Sequence, residues 1–272
     1  MHAEEVIRSR ANPLLKRVGA VLAGKEPGML VLEGERLVDD ALRAGHALEV
    51  VLLAEERAAL ASSFEKRQCA VRIVEAALLD QVSALKTSPG ILALAATPRE
   101  PKLEELVLDA RTLLLVAAGI ADPGNLGALA RSAEAFGASA LLVTRGSASP
   151  WSDKALRGSM GSLLRLRVIS NLDGDELAGA LATRKVRNAC AATRGGVDPK
   201  QFDWRGPLAL WIGAETGALP LVTDGFEQLT IPMTNNVESL NVTVAASLLL
   251  YASGRSATGS GASVRDKGKA RG

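Results

Sequence analysis

Short apolar runs along the chain alternate with stretches whose apolar residues recur at helical spacing. Residues 29–32, 50–53 and 91–95 are apolar, as are 71–74 apart from Arg72, and Gly, Pro or charged residues bound them as they bound strands. Between them, Leu37, Val38, Ala41 and Leu42 form one helical face ended by Gly45, and residues 55–64 and 76–84 read as helices. Residues 6–22 are also expected to be helical, with Pro13 as an interruption, and residues 24–28 to turn. This alternation predicts a small α/β domain over residues 1–97.

The same alternation resumes after residues 97–101, where two prolines and two charges read as a linker. Strands are expected at 112–117, 141–144, 166–169, 188–192 and 208–212, with a further short strand closing at Ile231-Pro232-Met233. Helices are expected after residue 125, with Leu126, Leu129, Ala130, Ala133 and Phe136 facing inward, at 177–182, and from Val242, where Val242, Ala245, Ala246 and Leu249 share a face. This predicts a second α/β domain over residues 98–254. Periodicity alone gives it an unknotted, Rossmann-like parallel sheet, because knots are rare. Residues 255–272 are rich in Gly, Ser and basic residues and are expected to be a disordered tail.

Composition narrows the function classes. The 272 residues are 47% hydrophobic and carry a net charge of +2. Cys69 and Cys190 stand alone and His2 and His46 are the only histidines, so neither a disulfide framework nor a His/Cys metal cluster is expected, and the setting should be reducing and cytoplasmic. The longest apolar run, within residues 242–252, is too short for a membrane span. Residues 1–97 hold 12 basic against 13 acidic side chains, residues 98–254 hold 15 against 16, and the tail holds 5 against 1. The positive excess therefore lies in the tail. Two local basic clusters are candidates for phosphate contact: one includes Lys16 and Arg17, the other Lys154 and Arg157. Aromatics at 3% leave no platform for stacking single-stranded bases.

Three loops carry the candidate chemistry. The first is Asp122-Pro123-Gly124-Asn125-Leu126-Gly127, followed by Arg131 and by Ala133-Glu134-Ala135-Phe136-Gly137. Its glycines suggest a nucleotide loop, but Asn-Leu follows Gly124 where a P-loop needs Lys-Ser/Thr, and no GxGxxG follows the strand. Asn125 falls where the helix should begin and is expected to cap it or to hold a neighbouring side chain. The second loop, Gly213-Ala214-Glu215-Thr216-Gly217-Ala218-Leu219, ends an apolar strand. The third, Ile231-Pro232-Met233 through Glu238-Ser239-Leu240-Asn241, feeds the last apolar helix.

These three stretches, in this order across about 140 residues, resemble the motifs of the SpoU (TrmH) family of RNA ribose 2′-O-methyltransferases, and Arg157-Gly158-Ser159-Met160-Gly161 resembles its Arg-x-Ser-Met-Gly segment. Thr216 stands where a second glycine is usual, and Ala218 displaces Leu219 by one place. Asn12-Pro13-Leu14-Leu15-Lys16 with Leu30 to Val38 resembles the RNA substrate-binding domain of many members, itself similar to ribosomal RNA-binding proteins; Ser88-Pro89-Gly90 departs from the Gln-Gly often found there.

The resemblance implies a SPOUT fold, a parallel sheet whose C-terminal segment makes a trefoil knot, acting as a homodimer without metal. It implies transfer of a methyl group from S-adenosyl-L-methionine to a ribose 2′-OH of RNA, ribosomal RNA of the large subunit being favoured over tRNA. Gly213, Ile231 and Leu240 would hold the cofactor. Arg131 would be the catalytic residue, with Asn125, Glu215, Ser239 and Asn241 positioning it or the ribose. A guanidinium stays protonated, so an electrostatic role for Arg131 is expected over a general base. The alternatives are a non-catalytic RNA-binding protein on the same fold and a Rossmann-type oxidoreductase, which would need the absent glycine fingerprint.

Overall fold

A computed structural model describes residues 6–213, 223, 225–234 and 237–254. The first lobe builds a mixed sheet from β1 (Met29–Glu33), β2 (Leu48–Ala54), β3 (Val71–Val74) and β4 (Ile91–Ala96), in the order β1-β4-β2-β3. β4 is antiparallel to both β1 and β2, and only β2 and β3 run parallel. Helix α1 (Pro13–Leu22) lays Leu15, Val18 and Val21 on one face of this sheet beside Leu78 and Leu79 of α4 (Ala76–Val82). Helix α2 (Glu35–Arg43) buries Leu37, Val38 and Ala41 on the other face, and the short α3 (Ala61–Glu65), preceded by a 3₁₀ turn, adds Phe64.

The helix expected over residues 6–22 starts only at Pro13. Asn12 caps it, its side chain accepting from Leu14 N–H at 2.9 Å, and Pro13 needs no partner for the N–H it lacks. Before it the chain is extended around Ile7 and turns at residues 10–11, where Asn12 N–H donates to Ser9 O at 3.0 Å. Ile7 forms a parallel bridge with Val74, donating its N–H to Ile73 O at 2.9 Å.

The second lobe is a six-stranded sheet, parallel throughout, in the order β10-β8-β9-β5-β6-β7. Its strands are β5 (Leu113–Ala118), β6 (Ala140–Thr144), β7 (Val168–Leu172), β8 (Arg187–Ala191), β9 (Leu208–Gly213) and β10 (Glu227–Leu229). The helices are α5 (Pro123–Ala135), α6 (Asp153–Gly158), α7 (Ser162–Arg165), α8 (Gly174–Thr183) and α9 (Val242–Ala252). The central strands β5 and β9 are fully buried save for Gly213 at the end, as expected of a parallel sheet covered on both faces. From β5 the chain winds outward to β6 and β7, then crosses to build β8, β9 and β10 on the other side. The order therefore reverses between β5 and β9, and open α/β sheets bind ligands at the carboxyl ends of strands at such a switch. Among the described residues the last strand lies at residues 227–229, so Ile231-Pro232-Met233 is an irregular segment beyond it.

The lobes are not separated by solvent. One apolar cluster runs from Leu37, Val38 and Ile91 of the first lobe into Leu126, Leu156 and Leu163 of the second. Across this junction His46 Nε2 lies 2.7 Å from Leu164 O, and Arg165 lies 3.5 Å from Asp40 while its guanidinium also grips Glu134 at 2.6 and 2.8 Å. That grip holds the Glu134 carboxyl below the usual glutamate range.

Candidate functional site

The loop after β5 and the helix it feeds are shaped by close packing. Asp122, not Asn125, caps α5: its Oδ1 accepts from the Asn125 N–H at 2.8 Å, and Pro123 takes the first helical position. Asn125 is thus the third residue of the helix, half-buried, with its side chain unengaged among the described residues. Lys154 donates to Asp122 Oδ2 at 2.5 Å, and the two contacts, the lysine first, hold the Asp122 carboxyl below its usual range. A side chain at Gly127 would overlap the Ala155 carbonyl oxygen and put its Cβ 2.8 Å from Ser159 N. The glycines that suggested a nucleotide loop here let α5 and α6 cross almost backbone to backbone.

Arg131 lies on the solvent side of α5, opposite the buried Leu126, Leu129, Ala130 and Ala133. It is exposed and makes no ion pair among the described residues. The neighbouring Ser132 meets Ser247 of α9 at 2.7 Å, so the helix bearing Arg131 is fastened to the last helix.

The third loop enters α9 at Asn241, whose Oδ1 accepts from Thr243 N–H at 2.9 Å and Val244 N–H at 3.4 Å. The helix starts where the periodicity put it. Asn241 therefore acts as the N-cap of α9.

Between this loop and the carboxyl ends of β8 and β9 lies a pocket with about 620 Å³ of empty space, counting its open mouth. Ile212, Gly213, Leu229, Ile231, Met233, Ser239, Leu240, Val242, Ala245 and Leu249 line it, with Ala191, Ala192 and Thr193 after β8. The structure thus brings together all three expected cofactor residues, Gly213, Ile231 and Leu240, and adds Ser239. Sequence reasoning missed the Ala191–Thr193 side. Residues 188–192 read as a strand, but only the pairing of β8 with β9 shows that its end faces Gly213. Glu215, with the rest of the loop through Leu219, lies outside the described residues, as does the tail from residue 255.

The basic candidates fare unevenly. Lys16 is exposed. Arg17 is not a free cation: it bonds Glu26 at 2.7 to 3.1 Å and pairs with Glu49, which raises its pKa well above the usual value. Lys154 is held by Asp122, and Arg157 is half-buried and paired with Asp153 on the preceding turn of α6. Arg17 and Arg157 thus each hold an ion pair within the chain.

Comparison with known proteins bears on what this pocket takes. Residues 112–251 match the model of the SpoU rRNA methylase family, and residues 4–109 match that of the thiostrepton-resistance methylase N terminus. A 23S rRNA (guanosine(2553)-2′-O)-methyltransferase, RlmP of Bacillus subtilis, is 30% identical over 224 residues, covering 81% of this chain and 86% of that protein. The crystal structure of an RNA 2′-O ribose methyltransferase superposes with a TM-score of 0.77 at 30% identity, covering 93% of this chain and 99% of the other. The SpoU methyltransferase AviRb of Streptomyces viridochromogenes, in complex with AdoMet, gives a TM-score of 0.79 at 25% identity over 90% of this chain and 97% of that one.

Proposed function

This chain belongs to the SpoU rRNA methylase family, and from that premise we propose that it transfers the methyl group of S-adenosyl-L-methionine to a ribose 2′-OH of ribosomal RNA. The observation that carries the reading is the pocket at the carboxyl ends of β8 and β9, where Gly213, Ile231 and Leu240 of two separate motifs converge.

The pocket fits the cofactor's chemistry. Its walls are small or aliphatic side chains suited to an adenine face, and the strand ends and irregular loop segments around it present backbone groups for the heterocycle edge and the amino-acid end. When bound, S-adenosyl-L-methionine supplies an electrophilic methyl on a sulfonium. The residues of this chain must then align the 2′-oxygen and ease the loss of its proton.

Arg131, exposed on α5, is assigned the electrostatic task of holding the adjacent phosphate and stabilising the developing alkoxide. Ser239, at the pocket rim, is assigned to orient the ribose. Asn125 and Glu215 are assigned to position Arg131, and Asn241 to hold the loop–helix junction in shape. Residues 98–254 form the methyltransferase domain in this reading, with the C-terminal segment drawn into a trefoil knot. Residues 1–97 bind the RNA, Lys16 among their exposed cations.

The protein works as a homodimer in the cytoplasm in this reading. Val244, Leu248 and Tyr251 are 48%, 44% and 70% exposed, and they recur along one face of α9 next to Phe136, whose ring meets Tyr251 edge-on at 5.9 Å. A second copy of the chain would cover that stripe and bring its own α9 to the same place, the self-complementary arrangement of a twofold interface. The site needs no metal in this reading.

The large-subunit RNA is the substrate we favour, on the analogy of the Bacillus subtilis relative. The test is incubation with methyl-labelled cofactor and purified 23S, 16S and transfer RNA, followed by nucleoside analysis. Label on a ribose of 23S RNA is expected. Label on a base, or tight cofactor binding with no transfer to any RNA, overturns the reading.

A further inference from the structure

Residues 97–106, which join the lobes, are tied along their length. Thr97 N–H donates to Gly28 O of the first lobe at 2.8 Å. At the other end Arg184, just after α8, donates to Leu103 O at 2.5 Å and Leu106 O at 2.7 Å. Glu100 sits between these ties, half-buried. Its Oε1 accepts from Trp151 Nε1–H at 2.6 Å and Ser170 O–H at 2.7 Å, and its Oε2 accepts from Ser170 N–H at 2.6 Å. Both partners belong to the second lobe: Trp151 lies just before α6 and Ser170 lies on β7.

A tether needs only length and solubility, and two domains joined by one normally move relative to each other. Glu100 works against that freedom. Drawing a carboxylate out of water is unfavourable unless its lone pairs are met, and here three short charge-assisted bonds meet them. The second junction, where His46 and Asp40 meet α7, lies elsewhere on the lobe interface. Together with the apolar cluster that crosses the junction, the two polar fastenings define one orientation of the lobes.

We propose that Glu100 is a positioning residue for methyl transfer: by binding Trp151 and Ser170 it fixes the first lobe in one orientation to the pocket, so that RNA held by the first lobe presents its ribose to the methyl site. The role in catalysis rests on the function proposed above; the strap itself does not. The acid is specific to the task, because all three partners act as donors. A glutamine would offer one oxygen and turn an N–H₂ group toward a donor, whereas a shorter aspartate keeps both acceptors.

The test uses the full chain carrying Glu100→Ala, Glu100→Gln and Glu100→Asp, with Glu104→Ala as a control on an exposed neighbour. Lys102 lies two residues after Glu100 and its bond to Leu103 is untouched by the substitutions, so trypsin cleavage there reports on the strap. Cleavage after Lys102 should be at least tenfold faster in the Ala and Gln variants than in wild type or the control. Cofactor affinity by calorimetry should stay within twofold, showing that the second lobe is folded. The specificity constant for RNA should fall at least tenfold in Ala and Gln and recover in part in Asp.

Unchanged trypsin cleavage overturns the strap. Faster cleavage with unaltered RNA kinetics overturns the positioning role, and full rescue by Gln overturns the carboxylate mechanism. If wild type methylates no RNA, the proposed function fails, while the trypsin comparison still decides the strap.

Discussion

Ser132 on α5 and Ser247 on α9 share a hydrogen bond of 2.7 Å. Ser247 also donates to Thr243 O at 2.7 Å, one turn back in its own helix, so Ser132 supplies the proton between the two hydroxyls. The bond couples the helix that carries Arg131 to the helix that lines the pocket.

Ser132→Ala should therefore lower stability by about 1 kcal/mol, the usual net value of one intramolecular hydrogen bond. Urea titration of Ser132→Ala, Ser247→Ala and the double variant checks this. Coupling near zero in the cycle would mean that the two hydroxyls do not depend on each other.

Much of this architecture could be read from residue patterns. The start of α9 at Val242, the inward face of α5 and the fully apolar strands are local signals, set by spacing and capping within a few residues. What could not be read depends on partners distant in sequence. Ile7 is extended because Val74 pairs with it, Arg17 is neutralised by Glu49, and Ala191 to Thr193 wall the pocket only because β8 lies beside β9. Gly213, Ile231 and Leu240 line one pocket because the resemblance located loops, and two of those loops meet at the carboxyl end of β9. Asn125 was displaced from its expected capping role because Asp122, three residues earlier, captures the same helix end.

Two glycines in helices should respond in opposite directions to alanine. Gly19 in α1 has open space where a Cβ would go, so Gly19→Ala should stabilise by about 1 kcal/mol through helix propensity alone. Gly127 faces the backbone of α6 with no room, so Gly127→Ala should destabilise by about 1–3 kcal/mol despite the same propensity gain. Chemical denaturation of both variants decides, and stabilisation of Gly127→Ala would show that the crossing of α5 and α6 is looser than described.

Glu33 predicts an unusual pH response. It is only 5% exposed at the end of β1, accepting from Ala84 N–H at 2.8 Å and Ser83 O–H at 3.2 Å, and burial pushes its carboxyl above the ordinary glutamate value of 4.5. The folded protein thus holds this proton more tightly than the unfolded chain does. The stabilisation is complete below 4.5 and is lost as pH rises through the elevated folded value. Relative to Glu33→Gln, which does not titrate, wild type should gain stability as pH is lowered from 7 towards 4.5. Paired denaturation curves across that range test it, and wild type losing stability relative to Glu33→Gln on acidification would mean that the carboxylate is held charged beside Arg157.

The pocket can be tested without RNA. Ala245 lines it from α9 and is itself only half-buried, so a larger side chain there would project into the space assigned to the cofactor. Ala245→Leu should leave the unfolding midpoint close to wild type and weaken S-adenosyl-L-methionine binding at least tenfold, ~1.4 kcal/mol. Calorimetry with the cofactor alone measures this. Unimpaired binding would move the cofactor to another part of the chain.

Arg131 gives the sharpest test of mechanism. It is exposed on α5, away from the buried face, so Arg131→Ala should leave folding and cofactor affinity nearly intact. If its guanidinium meets charge that appears only as the methyl group is transferred, the loss falls on turnover, by about 2.7–4 kcal/mol as for a lost oxyanion donor. Arg131→Lys keeps the charge but not the planar fork that grips phosphate, and should recover little. Single-turnover methylation at saturating cofactor and RNA separates the cases. A full rate for Arg131→Ala removes Arg131 from the chemistry, and a full rate for Arg131→Lys reduces its role to that of a point charge.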